Sequence, residues 1–197
     1  MQPMRRLHPL NNKTEPRRAR ADDAGKLSEI AERTFRETFA HSCSVEDMHL
    51  HCAAEYSAEI QHQEILDPAL VTLVCEQAGQ LMGFTQVRWC PAPDGCSAAN
   101  AMEIQRLYVE RHWHGQGVAQ QLMDAAIQLA QQQGPRQIWL GVWEHNLRAL
   151  AFYAKYGFAE AGEHTFMVGN DLQRDLIVLR QAQPGSVEAS SGLVTNV

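Results

Sequence analysis

Leu27, Ile30, Ala31, Thr34, Phe35 and Phe39 share one face if the residues after Asp22 and Asp23 form a helix, and either aspartate can cap its start. Val45, Met48, Cys52 and Tyr56 repeat that spacing after Ser44, with Asp47 where a capping box places its acid. From residue 71 the period changes. Residues 71–75 and 81–89 are β-rich runs joined by Ala78-Gly79-Gln80, which predicts an antiparallel hairpin. A proline- and glycine-containing loop over 91–100 leads into a strand over 102–109. The next apolar stripe is Val118, Leu122, Ala125, Ala126 and Leu129, a helix stopped by Gly134-Pro135. Residues 138–143 are apolar on both faces, as a covered central strand should be. A helix over 147–156 closes at Gly157, and strands over 158–168 and 173–180 flank a turn at Gly169-Asn170-Asp171. Residues 17–21 predict a short edge strand.

The order is therefore helix, helix, hairpin, strand, helix, strand, helix, hairpin. Two β-to-α steps in the middle imply parallel pairing there, and the hairpins imply antiparallel flanks. This predicts an α/β fold with a mixed six- to seven-stranded sheet, a parallel centre and about four flanking helices. A single domain is expected over 16–180, between a disordered basic arm at 1–15 and a disordered tail at 181–197.

Composition narrows the class. The chain is 45% hydrophobic, yet no apolar run is long enough to span a bilayer, and no apolar segment follows the basic N-terminus as in a secretory signal. Cysteines at 43, 52, 75, 90 and 96 are odd in number and lack CxxC spacing, which predicts a reduced, cytoplasmic protein. Residues 1–20 hold six basic side chains and one acid, so the total of −6 leaves residues 21–197 at −11. An acidic body disfavours nucleic acid and attracts cationic small molecules, although acidity also serves solubility alone. Composition thus points to a cationic small molecule as partner, with a homodimer open and neither nucleic acid nor membrane expected.

The stretch 103–117 carries the first candidate chemistry. A strand runs into glycines and then a helix start, whose unpaired N–H groups and positive dipole end attract anions. Neither G-x-G-x-x-G nor G-x-x-x-x-G-K-S/T is present, so Rossmann and P-loop readings fail. Alone, Gly115-Gln116-Gly117 is equally a plain turn.

Taken with a second segment, the motifs resemble the GNAT family of acyl-CoA-dependent N-acetyltransferases. The first match is Leu107-Tyr108-Val109 followed by His114-Gly115-Gln116-Gly117-Val118-Ala119, where His114 replaces the usual glutamine or arginine. The second is Asn146-x-x-Ala149-x-x-x-Tyr153-x-x-x-Gly157-Phe158. The resemblance implies acetyl-CoA as co-substrate, with its pyrophosphate on the glycine loop and Asn146 bonding the pantetheine arm. It further implies that Tyr153 protonates the leaving thiolate and Lys155 contacts a phosphate. Read structurally, Asn146 is a helix N-cap and Tyr153 a core residue.

Glu103-Ile-x-Arg106-Leu-Tyr-Val, residues 139–144, Gly162-x-His164-x-Phe166-x-x-Gly169-x-x-x-Gln173-x-Asp175 and residues 34–39 are similar to the PaiA-type polyamine acetyltransferases. That likeness spans about residues 20–180 and implies acetyl transfer to spermidine, spermine or a related amine. An aminoglycoside, an amino-acid-like toxin and a protein N-terminus are the rival acceptors, and a non-catalytic acyl-CoA-binding module is the rival class. An alkylamine with a pKa of ~10 must lose a proton before it attacks a thioester. Glu103 is the candidate base, with an ordered water as the alternative. Amides near Leu107 and Val109 would polarise the thioester carbonyl, and a splay between the parallel strands would admit the pantetheine. Glu37, Glu46, Asp47 and Glu55 are candidate attractors of the amine. His41, Cys43, His49, His51 and Cys52 do not converge on a tetrahedral site, so no metal is expected.

Overall fold

The computed structural model describes residues 15–39, 43–93, 100–134, 137–168 and 171–181. Seven strands form one sheet: β1 (Arg17–Arg18), β2 (Leu70–Gln77), β3 (Gln80–Trp89), β4 (Ala101–Val109), β5 (Gln137–Trp143), β6 (Ala159–Val168) and β7 (Asp171–Gln181). Their spatial order is β1-β2-β3-β4-β5-β7-β6, and β4–β5 is the parallel pair at the centre. The expected fold class holds.

Alternation along the strands divides the core into two layers. Leu73, Val87, Met102, Ile104, Ile138 and Leu140 pack against α4 (Val118–Gln133) and α5 (Leu147–Lys155). Their strand neighbours Val74 and Phe84, with Tyr108 and Trp143, pack on the other face against α1 (Ala24–Phe39) and α2 (Val45–Glu55). Ser44 caps α2 as its spacing predicts: its hydroxyl oxygen accepts from the Asp47 amide at 3.0 Å.

One helix was not foreseen. Helix α3 (Ala58–Leu66) brings the described α-helices to five, against about four expected. It has no full apolar stripe because its inward face is largely polar, with Ile65 partly buried against the α1 layer. Gln61 is buried, and Glu64 accepts from Arg106 of β4 at 2.6 Å and from Gln86 of β3 at 3.3 Å. Two strand limits also shift. Asp171, expected in the last turn, begins β7, and Gln181, expected in the tail, ends it. Gly169 and Asn170, most of the loop at 91–100, and nearly all of the expected arm and tail lie outside the described residues.

Candidate active site

The parallel pairing at the sheet centre is short. Ala101, Met102 and Glu103 pair with Gln137, Ile138 and Trp139, and beyond these β4 and β5 share no further register. A bulge on β4 accompanies the separation: Gln86 faces Arg106 and Val87 faces Ile104, so Gln105 has no partner on β3. An extra residue bends and twists its strand. From the fork onward the β5 side of β4, including Leu107, Tyr108 and Val109, has no strand partner. The Tyr108 side chain turns away from this gap. Its hydroxyl lies 2.9 Å from that of Tyr56, leaving its backbone as the part available to a ligand.

Beyond Val109 the chain makes a 3-10 turn at Arg111–Trp113 and enters α4 through two left-handed glycines, Gly115 (φ 76°) and Gly117 (φ 87°). The His114 and Gln116 amides bond back to the carbonyls of Arg111 and Trp113. Those of Gly115 and Gly117 have no backbone acceptor among the described residues, and no side chain caps α4. With the first-turn amides of Val118 and Ala119 they form a cluster of donors suited to an anion. Gln116 braces the loop from its outer side, its Nε2 donating to the His112 carbonyl at 2.6 Å.

His114 is placed differently from expectation. Its Nε2–H donates to the Val109 carbonyl at 2.8 Å, and its Nδ1 accepts from the Arg148 guanidinium. With both nitrogens engaged, the imidazole has no N–H left for a phosphate. The guanidinium that His114 holds beside the loop, that of Arg148, is a residue the motif reading did not single out. No local pattern marks it: only the fold brings the second residue of α5 to His114.

Asn146 caps α5, its Oδ1 accepting from the Ala149 amide at 3.1 Å. This satisfies one end of the side chain and leaves the NH2 group for another acceptor. Tyr153 is 8% exposed and packs among the β4, β5 and α4 side chains. Burial, followed by the nearby Tyr108 and Asp175, pushes its phenol well above the ordinary tyrosine value. Lys155 is exposed in the last turn of α5. Next to it, Tyr156 docks α5 on α4 by donating to Asp124 at 3.0 Å.

Glu103 lies at the fork, 8% exposed. Its Oε2 accepts from Arg88 Nε at 2.5 Å and from the Cys90 thiol at 3.3 Å. Those donors occupy lone pairs that a general base would use. Of the acids expected to attract an amine, Asp47 accepts from the Ser44 hydroxyl at 2.7 Å, and Glu55 lies 3.6 Å from Arg106. Glu37 and Glu46 are exposed. His41 lies outside the described residues, while Cys52 is in the core and His51 stacks on Phe35.

A carboxylate that carried no assigned role belongs to this site. Asp175 on β7 is paired in register with Trp143 of β5 and His164 of β6. Burial pushes its pKa up to about 7. The sequence did hold a signal for it: in Asp175-Leu-Ile-Val-Leu179 the aspartate alternates with Ile177 and Leu179, an inward register unusual for an acid.

Residues 26–158 match the acetyltransferase (GNAT) family. An uncharacterized N-acetyltransferase in the pepI 3' region of Lactobacillus delbrueckii subsp. lactis is 29% identical over 156 residues, covering 79% of this chain and 90% of its own. The spermine/spermidine N(1)-acetyltransferase of Bacillus subtilis (strain 168) is 28% identical over 89 residues, 45% of this chain and 59% of its own. Among solved structures, the PaiA N-acetyltransferase of Thermoplasma acidophilum, in complex with coenzyme A, superposes with a TM-score of 0.69. It is 22% identical, over 85% of this chain and 98% of that one. The chain belongs to the GNAT family of acetyltransferases. It is an N-acetyltransferase with acetyl-CoA as its acetyl donor.

Proposed function

We propose that the protein transfers the acetyl group of acetyl-CoA to a primary amine of a small polycation, in the manner of spermidine or spermine. The observation that carries this reading is the fork after Glu103 and Trp139, with Tyr153 on one side and the carboxylates Glu103 and Asp175 on the other. The open side of β4 accepts the pantetheine, and the Asn146 NH2 group bonds it. Amides of Gly115, Gly117, Val118 and Ala119 hold the pyrophosphate, with Arg148 and Lys155 supplying positive charge and His114 fixing Arg148. Backbone amides around Leu107 and Val109 polarise the thioester carbonyl. Tyr153, kept protonated by its burial, gives its proton to the departing thiolate. Glu103, held by Arg88 and Cys90, braces the fork.

The polyamine assignment draws on the spermine/spermidine relative and on the acidic body of the chain, which concentrates cations. A reducing compartment agrees with the free thiols of Cys52, Cys75 and Cys90. The test is thiol release from acetyl-CoA across spermidine, spermine, an arylalkylamine, an aminoglycoside and a peptide N-terminus. Polyamines should give the highest kcat/KM. Preference for the aminoglycoside or the peptide would overturn the acceptor.

A further inference from the structure

The reaction needs a proton acceptor on the acceptor side of the gap, and Glu103 Oε2 already takes two donors. Building on the acetyl-transfer reading, we propose that Asp175 is the catalytic residue that removes the proton from the acceptor ammonium.

Its position supports this. Asp175 faces Trp143 across the β5–β7 pairing, and the Trp143 ring packs on Phe39 of α1, so the carboxylate is on the face of the sheet that α1 covers. Gly141 makes the room. A Cβ there would stand 3.0 Å from Asp175 Oδ2 and 2.9 Å from His164 Cε1, so the missing side chain is the space the carboxylate occupies. Gly141 is two residues beyond Trp139, in the part of β5 that has already left β4. The carboxylate thus lies over the part of β5 that lines the gap, and its charge helps to raise the Tyr108 and Tyr153 phenols.

Its hydrogen bonding is unusual. Asp175 Oδ1 is buried with no partner among the described residues. A buried acceptor left open in this way is costly unless a ligand or a proton occupies it. The titratable groups that face it are His164 from β6, Tyr108 from β4 and Tyr153 from α5. Its chain neighbour Arg174 bonds Glu163 and Glu144 instead, and α1 presents Phe39. With no cation paired to it among the described residues, burial raises its pKa to about 7, where a general base works best.

The step balances. Asp175 takes one proton from the ammonium, and the freed nitrogen lone pair forms the C–N bond at the thioester carbonyl. As the C–S bond breaks, its electron pair leaves on sulfur, which takes the proton of Tyr153. The second nitrogen proton restores the phenol, and Asp175 returns its proton to water past the exposed His164.

Asp175→Asn, compared with wild type in thiol release with spermidine across pH 5.5–9, tests the assignment. Acetyl-CoA affinity, read from the thermal shift it induces, should be kept. At pH 7 kcat should fall roughly 100-fold or more, and the bend in the acid limb of kcat/KM should disappear. Turnover within threefold of wild type with the same bend would overturn the assignment while leaving acetyl transfer intact. Wild type that turns over no amine would remove the acceptor reading and the base with it. Should the asparagine variant fail to fold, Gly141→Ala decides. It keeps the carboxylate but displaces it, so kcat should drop with coenzyme affinity unchanged; an unaffected kcat and pH profile would overturn the role.

Discussion

Burial raises the proton affinity of both Tyr153 and Asp175, and the two consequences differ because one group is an acid of ordinary value ~10 and the other of ~4. Tyr153 holds its proton across the physiological range and can only deliver it. In Tyr153→Phe we expect acetyl-CoA affinity within about twofold of wild type and kcat lowered roughly 10- to 100-fold, measured by thiol release. Unchanged turnover would remove the phenol from the mechanism. Asp175 also has a thermodynamic signature. Below about pH 4 folded and unfolded chains both hold its proton. Between about pH 4 and 7 the unfolded chain has lost it while the folded one keeps it, so the group's contribution to stability falls as pH rises. Above about pH 7 the penalty is constant. The melting temperature of wild type relative to Asp175→Asn should therefore decline from pH 4 to 7 and then level off. A difference that is flat over that range would place the carboxylate in water.

At the scale of elements, α3 is attached by charge as much as by apolar burial. The Arg106 guanidinium, 6% exposed as a residue, meets Glu64 at 2.6 Å and Gln86 at 2.9 Å, and lies 5.2 Å from the centre of the Tyr56 ring. Removing one partner of such a pair leaves the other buried and unpaired. Arg106→Leu should cost about 3–5 kcal/mol in urea denaturation, and adding Glu64→Leu should recover part of the loss. Additive losses would mean that the two side chains act independently. The same arrangement explains why this helix escaped sequence reading. Periodicity registers helices through their apolar stripes, and beside Ile65 the inward positions of α3 are Gln61 and Glu64. The Ser44 cap, the hairpin at Ala78-Gly79 and the stop at Gly134 were legible because each is encoded within a few neighbouring residues. The glycine loop and the Asn146–Tyr153 segment are local in the same way. Asp175 and Arg148 are not, since their roles arise only where β7 meets β5 and where α5 meets the loop.

At the scale of the molecule, the charge of −11 over residues 21–197 sets up a long-range attraction for polycations. If that field assists capture, the KM for spermine should rise with ionic strength more steeply than that for a monoamine, because screening acts on each charge. Equal salt dependence of the two would confine recognition to contacts within the site.

The three-residue pairing of β4 with β5 leaves an internal seam in an otherwise continuous sheet. Strand edges are sites where proteins accept another extended chain, and pantetheine, with its two amides, is such a chain in miniature. At the proposed site coenzyme binding would be the last step of building the fold. A ligand that binds only the completed sheet stabilises it by RT ln(1 + [L]/Kd), about 2.7 kcal/mol at a hundredfold excess over Kd. Amide hydrogen exchange in residues 104–109 should slow on adding coenzyme A, while β2 and the β6–β7 hairpin stay as they were. Through this seam the lifetime of the protein would track the supply of its own co-substrate.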